Sequence, residues 1–278
     1  MLRVLSTHLF LKHRLHPGLL DLASRAGAQA VEIFAARQHF DYHYRDEINE
    51  LAYFFRSNPL VPYSMHAPLF PDREMGRAGA PGINLIHSDK ARRIAAMDEI
   101  KRALEVAELV PIRNLVVHLG EQHDEWSQEI IEYALTALEH LNAFASALGV
   151  RILVENLLND ATTPEHLMYI LEAGHLDNIG ICLDTGHANM TVGVLEAIYA
   201  FRNRIVSVHI HDNQGEKDEH LWPGEGSIDW QSVFGRLKSM GNPPAAVLEI
   251  GFNLYEQATA PGRIKQAFAL LDGTPAVR

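Results

Sequence analysis

Eight short apolar runs recur through the chain, each followed by an amphipathic segment, and this rhythm constrains the fold more than any other feature. The runs are LRVLS (2–6), AVEIF (30–34), PYSMHA (62–67), NLVVHLG (114–120), RILVEN (151–156), GICLDT (180–185), RIVSVHIH (204–211) and AAVLEIG (245–251). Most are continuously apolar rather than alternating, as parallel strands covered on both faces are. Three of the helical segments between them are well marked. Residues 127–149 place Ile130, Tyr133, Ala137, Leu141, Phe144 and Leu148 on one stripe, with Gly149 just past the C-cap. Thr163-Pro164-Glu165 opens a second helix with Thr as N-cap and Pro at N1. Residues 88–109 are expected to begin at a Ser88 cap and to stop before Pro111.

Eight strand–helix units in 278 residues give about 35 residues per unit, the size of a βα repeat. No linker, low-complexity stretch or composition break interrupts the series. The expectation is an α/β chain forming one domain over 1–278, a (β/α)8 TIM barrel. A doubly wound sheet fits less well, because STHLF after the first run lacks the Gly-rich turn of that fold.

The bulk properties limit the function classes. No apolar run is long enough for a signal peptide or a bilayer span, and the lone Cys182 cannot form an intramolecular disulfide. A cytoplasmic location is expected, with no membrane partner. With 24 Lys+Arg against 35 Asp+Glu the net charge is −11, which argues against broad contact with a nucleic-acid backbone. The tight basic pairs Arg92-Arg93 and Lys101-Arg102 read as a solvated outer-helix face.

Sixteen histidines prompt a search for ligands. In such barrels chemistry gathers at the C-terminal ends of the strands. The third run ends with His66, the fourth with His118 and the fifth with Glu155. The sixth ends in CLDTGHA, which carries Asp184 and His187. The seventh supplies His209 and His211, and its loop Asp218 and His220; the eighth ends with Glu249. A single strand-end histidine is more often a hydrogen-bonded structural residue than a ligand. Six consecutive strands with such residues at one end are a different matter, since inward-facing charges without partners are costly and metal ions would compensate them. Imidazole and carboxylate without thiolate suit Zn²⁺, Mn²⁺, Co²⁺ or Fe²⁺. Nine of these residues, all but His211, are more ligands than one ion takes, so the expected cofactor is one to three divalent ions per chain, Zn or Mn first.

The motifs MHAP, VVHLG, VEN, CLDTGHA, VHIHDN, DEHLWPGEGSIDW and LEIG, in this order, resemble the xylose-isomerase-like TIM-barrel superfamily. That group joins sugar phosphate isomerases and epimerases to the endonuclease IV type of AP endonuclease. From the isomerase branch, the resemblance implies one divalent ion on Glu155, Asp184, His209 and Glu249. From the endonuclease branch it implies three zinc ions: one on His66, His118 and Glu155, one on the same quartet, and one on His187, Asp218 and His220. STHLF and the short loop after AVEIF do not match the endonuclease pattern. The expectation is therefore a metal-dependent isomerase or epimerase of a small keto-sugar, sugar phosphate or polyhydroxy compound. Glu155 and Glu249 would exchange the proton through an enediolate. His8, His187, His211 and Trp222 are candidates for substrate binding, and Glu32 for shaping the pocket. The alternative is a trinuclear zinc phosphodiesterase. Barrels of this kind commonly dimerise, as the resemblance implies. Cys182 reads as a buried core thiol, and Gly224-Glu225-Gly226 as a turn. His13, His16, His39, His43, His140, His166 and His175 read as surface residues. Substrate choice is expected to depend on loops, notably 71–87.

Overall fold

A computed structural model describes residues 1–74 and 81–273 of the chain. Eight parallel strands close into a barrel in sequence order: β1 (Arg3–Ser6), β2 (Ala30–Phe34), β3 (Val61–His66), β4 (Asn114–Val117), β5 (Arg151–Glu155), β6 (Gly180–Asp184), β7 (Ile205–Ile210) and β8 (Ala245–Leu248). Strand β8 pairs with β1, so no edge is left open. This is the expected (β/α)8 architecture. Helices α1 (Pro17–Arg25), α2 (Arg45–Ser57), α3 (Lys90–Leu104), α4 (Gln128–Ala147) and α5 (Pro164–Ala173) follow the first five strands. Two helices, α6 (Thr185–Met190) and α7 (Val194–Phe201), follow β6, and α8 (Trp230–Lys238) and α9 (Ala260–Leu271) complete the ring. Among the described residues no helix is long and apolar enough to cross a membrane.

The strands are largely apolar because both faces are covered. Outward residues such as Leu5, Val31, Leu115, Ile152 and Ile181 belong to the main core shared with the helices. Inside, Val116, Leu153 and Cys182 form part of a separate packed layer, and Val4, Ala30, Ala245 and Val247 form another. Cys182 is a core thiol, as expected, and burial raises its pKa to about 12.

Local expectations hold in part. Gly149 has φ 72 beyond the Leu148 C-cap, and the Thr163 side chain accepts from the His166 amide with Pro164 following. Helix α3 is capped by Asp89 instead of Ser88, its carboxylate accepting the Ala91 amide. Helix α4 buries Ile131, Ala134, Ala137, Leu138, Leu141 and Ala145, while Ile130, Tyr133, Phe144 and Leu148 are only partly covered. The apolar face is thus rotated by about one residue, a position set by the barrel wall and not by the helix period. Arg93 departs from a solvated face: it lies over the Tyr133 ring at 3.6 Å and donates to the His87 carbonyl at 2.6 Å.

His39 departs furthest. It is fully buried, and its Nδ1 donates to the His13 carbonyl at 2.6 Å. Burial lowers its pKa from 6.5 to about 4. It is neutral in the fold, whereas the unfolded chain takes up the proton as pH falls below 6.5. The stability this residue supports is therefore present above that value and lost toward pH 4. Denaturant unfolding is expected to show His39 contributing about 2 kcal/mol of lost stability between pH 7 and pH 5. The His39→Gln variant should lack that share of the slope; an identical slope would refute it.

Candidate active site

The polar residues expected at the strand ends converge on one end of the barrel. Glu155, the last residue of β5, is at their centre and is nearly inaccessible. Its Oε2 lies 3.2 Å from His118 Nε2 and 3.4 Å from His66 Nε2. Its Oε1 lies 3.4 Å from His209 Nδ1 and 3.6 Å from His187 Nδ1. His209 Nδ1 also sits 3.3 Å from Glu249 Oε2 and 3.8 Å from Asp184 Oδ2. One donor atom from each of Glu155, Asp184, His209 and Glu249 falls within 4.8 Å of the others, and the same holds for His66, His118 and Glu155. His187 and His220 both direct Nε2 at Asp218 Oδ2, each at 3.2 Å. His211, Asp218 and His220 also form a close group, with the His211 ring stacked at 3.8 Å on that of His220.

Local sequence explains the placement. In the DTGHA stretch Asp184 ends β6 and caps α6, its Oδ1 accepting the His187 amide at 2.7 Å, so one turn of helix turns His187 back over the site. Gly186 has no substitute there: a Cβ would come within 2.0 Å of the His211 ring. Gly224 supplies the expected turn, with φ 93. His220 holds φ 47, a left-handed conformation uncommon outside glycine. Gly251 donates to its carbonyl, and its Nδ1 reaches the Glu249 carbonyl at 3.1 Å, fixing the strained residue to the end of β8.

Charges reinforce one another in this enclosure. Burial alone would raise Glu155, but His209 and His118 hold its carboxyl well below the usual range. Asp218 is likewise lowered, against its burial, by His187 and His220. Burial disfavours protonated His187, yet Asp184 and Asp218 push it up to about 10. His220 rises to about 9, with Asp218 overcoming burial. His118 goes the other way, because burial outweighs the attraction of Glu155. Imidazolium charge thus stands where a buried carboxylate cluster needs a cation.

The donor set fits a divalent ion. His209 Nδ1 is buried among three carboxylates without a hydrogen-bond partner, the condition of a ligand atom. Imidazole with carboxylates suits zinc or manganese.

A cavity of about 530 Å³ opens on the cluster and is lined in part by His118, His187 and Asp218. Of the four residues expected to bind substrate, His187 lines it; His8, His211 and Trp222 are not among its described walls. His8 is half-buried at the Ile250 carbonyl, and its ring lies 5.1 Å from that of His220. His211 is fully buried and donates to Asp184 Oδ2 at 2.9 Å. Trp222 is buried beneath Arg263, whose guanidinium lies 4.7 Å from the ring. Sequence reasoning missed Glu121, Gln122 and Lys217, which line the cavity from loops. Lys217 directly precedes Asp218, and that proximity was its one visible signal. Of the loop 71–87, residues 75–80 lie outside the described residues.

Fold and site define a parallel barrel carrying a buried carboxylate–imidazole centre at the strand C-termini. The chain belongs to the xylose isomerase-like TIM barrel family, whose model matches residues 20–272. It is 35% identical over 152 residues to an uncharacterized protein of Methanocaldococcus jannaschii, covering 51% of this chain and 52% of that one, so the match spans about half that relative's length. It is 24% identical over 259 residues to an inosose isomerase of Halalkalibacterium halodurans, covering 89% of this chain and 87% of that one. Among solved structures, a D-tagatose 3-epimerase-like protein superposes with a TM-score of 0.77 at 25% identity, covering 98% of this chain and 99% of that one. An IolI protein solved with a zinc atom superposes with a TM-score of 0.78 at 20% identity, each chain fully covered.

Proposed function

We propose that the protein is a divalent-metal-dependent isomerase or epimerase of a small keto-sugar or polyhydroxy ketone. The observation that carries this reading is the quartet of Glu155, Asp184, His209 and Glu249, with an unpartnered imidazole nitrogen buried among the carboxylates. The sugar epimerase-like and inosose isomerase relatives support the reaction class. A divalent ion on the quartet would supply Lewis-acid polarisation of a substrate carbonyl.

The remaining chemistry belongs to side chains. Glu155 and Glu249, both beside His209 Nδ1, act as the base that removes the proton next to the carbonyl and the acid that returns one. Return to the opposite face of the same carbon epimerises; return to the neighbouring carbon isomerises. Asp184 is held by His211 and capped onto α6, which keeps its carboxylate from turning away. His187 borders the cavity, its Nδ1 on the Asn156 carbonyl and its Nε2 on Asp218, and so holds Asp218 at the cavity wall.

The test is solvent exchange. The protein loaded with Mn²⁺ or Zn²⁺ is incubated in D₂O with an inosose and a panel of ketohexoses, and products are read by NMR. Deuterium is expected at the carbon next to the carbonyl of the substrate that turns over. Turnover without wash-in would sink the mechanism. One observation favours a second reading, a three-ion zinc phosphodiesterase: His66–His118–Glu155 stands assembled beside the quartet, and Asp218 bonds both His187 and His220, although its close ligand group is completed by His211 and not His187. Cleavage of a simple phosphodiester by zinc-loaded protein would favour it.

A further inference from the structure

We infer that Glu32 is a positioning residue that fixes which nitrogen His209 presents to the quartet; this rests on the metal-dependent reading above. Three of the other site histidines are oriented by the backbone. His66, His187 and His220 each place Nδ1 on a main-chain carbonyl, of Ala67, Asn156 and Glu249 respectively, and turn Nε2 toward a carboxylate. His209 reverses this arrangement. Its Nδ1 faces Glu155, Asp184 and Glu249, and among the described residues no main-chain carbonyl takes its Nε2.

What faces Nε2 is Glu32 Oε1, 3.1 Å away, reaching across the barrel interior from β2 to β7. Both residues are fully buried. Among the described residues neither atom has an aligned hydrogen bond, and they face one another at 3.1 Å, with the Cys182 thiol also close to the His209 ring. The far oxygen of Glu32 is already held: Ser64, its register partner on β3, donates to Oε2 at 2.8 Å. The chain Ser64–Glu32–His209 thus fixes Nε2 as the N–H and leaves the Nδ1 lone pair for the ion. A carboxylate behind a metal-bound imidazole sets its tautomer and raises its basicity, and losing such a partner typically costs 10–100-fold in metal affinity.

A purely structural buried acid would affect folding but leave metal affinity alone, so affinity is the measurement. Metal-free protein is titrated with Co²⁺ against a competing chelator and followed by the Co²⁺ absorption spectrum. Glu32→Gln is expected to bind about 10–100-fold more weakly. Ser64→Ala should shift affinity in the same direction by less. Equal affinity in wild type and folded Glu32→Gln overturns this inference alone. A wild type that takes up no ion overturns it together with the metal-dependent reading. Should Glu32→Gln fail to fold, Ser64→Ala decides, and an unchanged affinity there overturns the positioning role.

Discussion

The Glu249→Gln variant is expected to lose about 10³-fold in kcat at saturating metal ion, with its fold intact. Glu249 directly follows β8 and is 3% exposed, with Oε2 3.3 Å from His209 Nδ1. Glutamine preserves the volume and one oxygen, so neighbours such as His220, whose Nδ1 reaches the Glu249 main-chain carbonyl, keep their contacts. What disappears is a group that can gain and release a proton. Positioned acid–base groups contribute roughly 10²–10⁴-fold, and the assigned role puts the full effect on the chemical step. Some metal affinity will also be lost, since an amide is a poorer donor to a divalent ion than a carboxylate. Turnover must therefore be compared at metal concentrations that saturate each protein. Under those conditions KM should change little, because the lost group acts in the transition state. Solvent deuterium exchange should fall in parallel with turnover. A variant that keeps wild-type kcat within about tenfold would show that Glu249 neither gives nor takes the proton.

Much of this site was readable from the linear sequence because parallel strands in a closed barrel deliver their last residues to one place. His66, Glu155 and Asp184 end their strands, and His118 and Glu249 follow within a residue of theirs. The pair formed by Asp218 and His220 was readable for a different reason: two ligand-type residues separated by one can converge where the backbone bends, and His220 takes the left-handed conformation there. Other features have no linear signal. Glu32 and His209 are 177 positions apart on strands that do not pair, and only closure of the barrel brings them to 3.1 Å. His211 directly follows β7, two positions after His209, yet its ring goes to Asp184 and not to the cavity, which depends on the missing side chain at Gly186. The rotated face of α4 and the burial of His39 belong to the same class: periodicity shows that a helix has an apolar side, while neighbouring elements decide which residues it covers.

Metal removal is expected to have the second large effect, on stability as well as turnover. Three quartet carboxylates crowd around one imidazole nitrogen, and buried acids at such spacing repel one another unless positive charge offsets them. An ion that binds the folded chain and not the unfolded one stabilises by about 4 kcal/mol when its free concentration is 1,000 times Kd. For a chain of this size that corresponds to roughly 7 °C in Tm. Exhaustive dialysis against a chelator should therefore lower Tm by about that amount and abolish turnover, with both restored by added ion. The sign is fixed by linkage: the ligand-bound state is the folded one, so adding ion can only raise Tm on this reading. A Tm indifferent to chelation and re-addition would mean that the quartet holds no ion. The number restored separates the two functional readings. Near one ion per chain matches loading of the quartet alone and the proton-transfer chemistry of Glu155 and Glu249. Near three ions would mean that His66–His118–Glu155 and His187–Asp218–His220 are loaded as well. In that case Asp218→Asn should remove a single equivalent and leave the stabilisation from the quartet in place, because Asp218 touches the third group and none of the quartet's donor atoms within bonding distance.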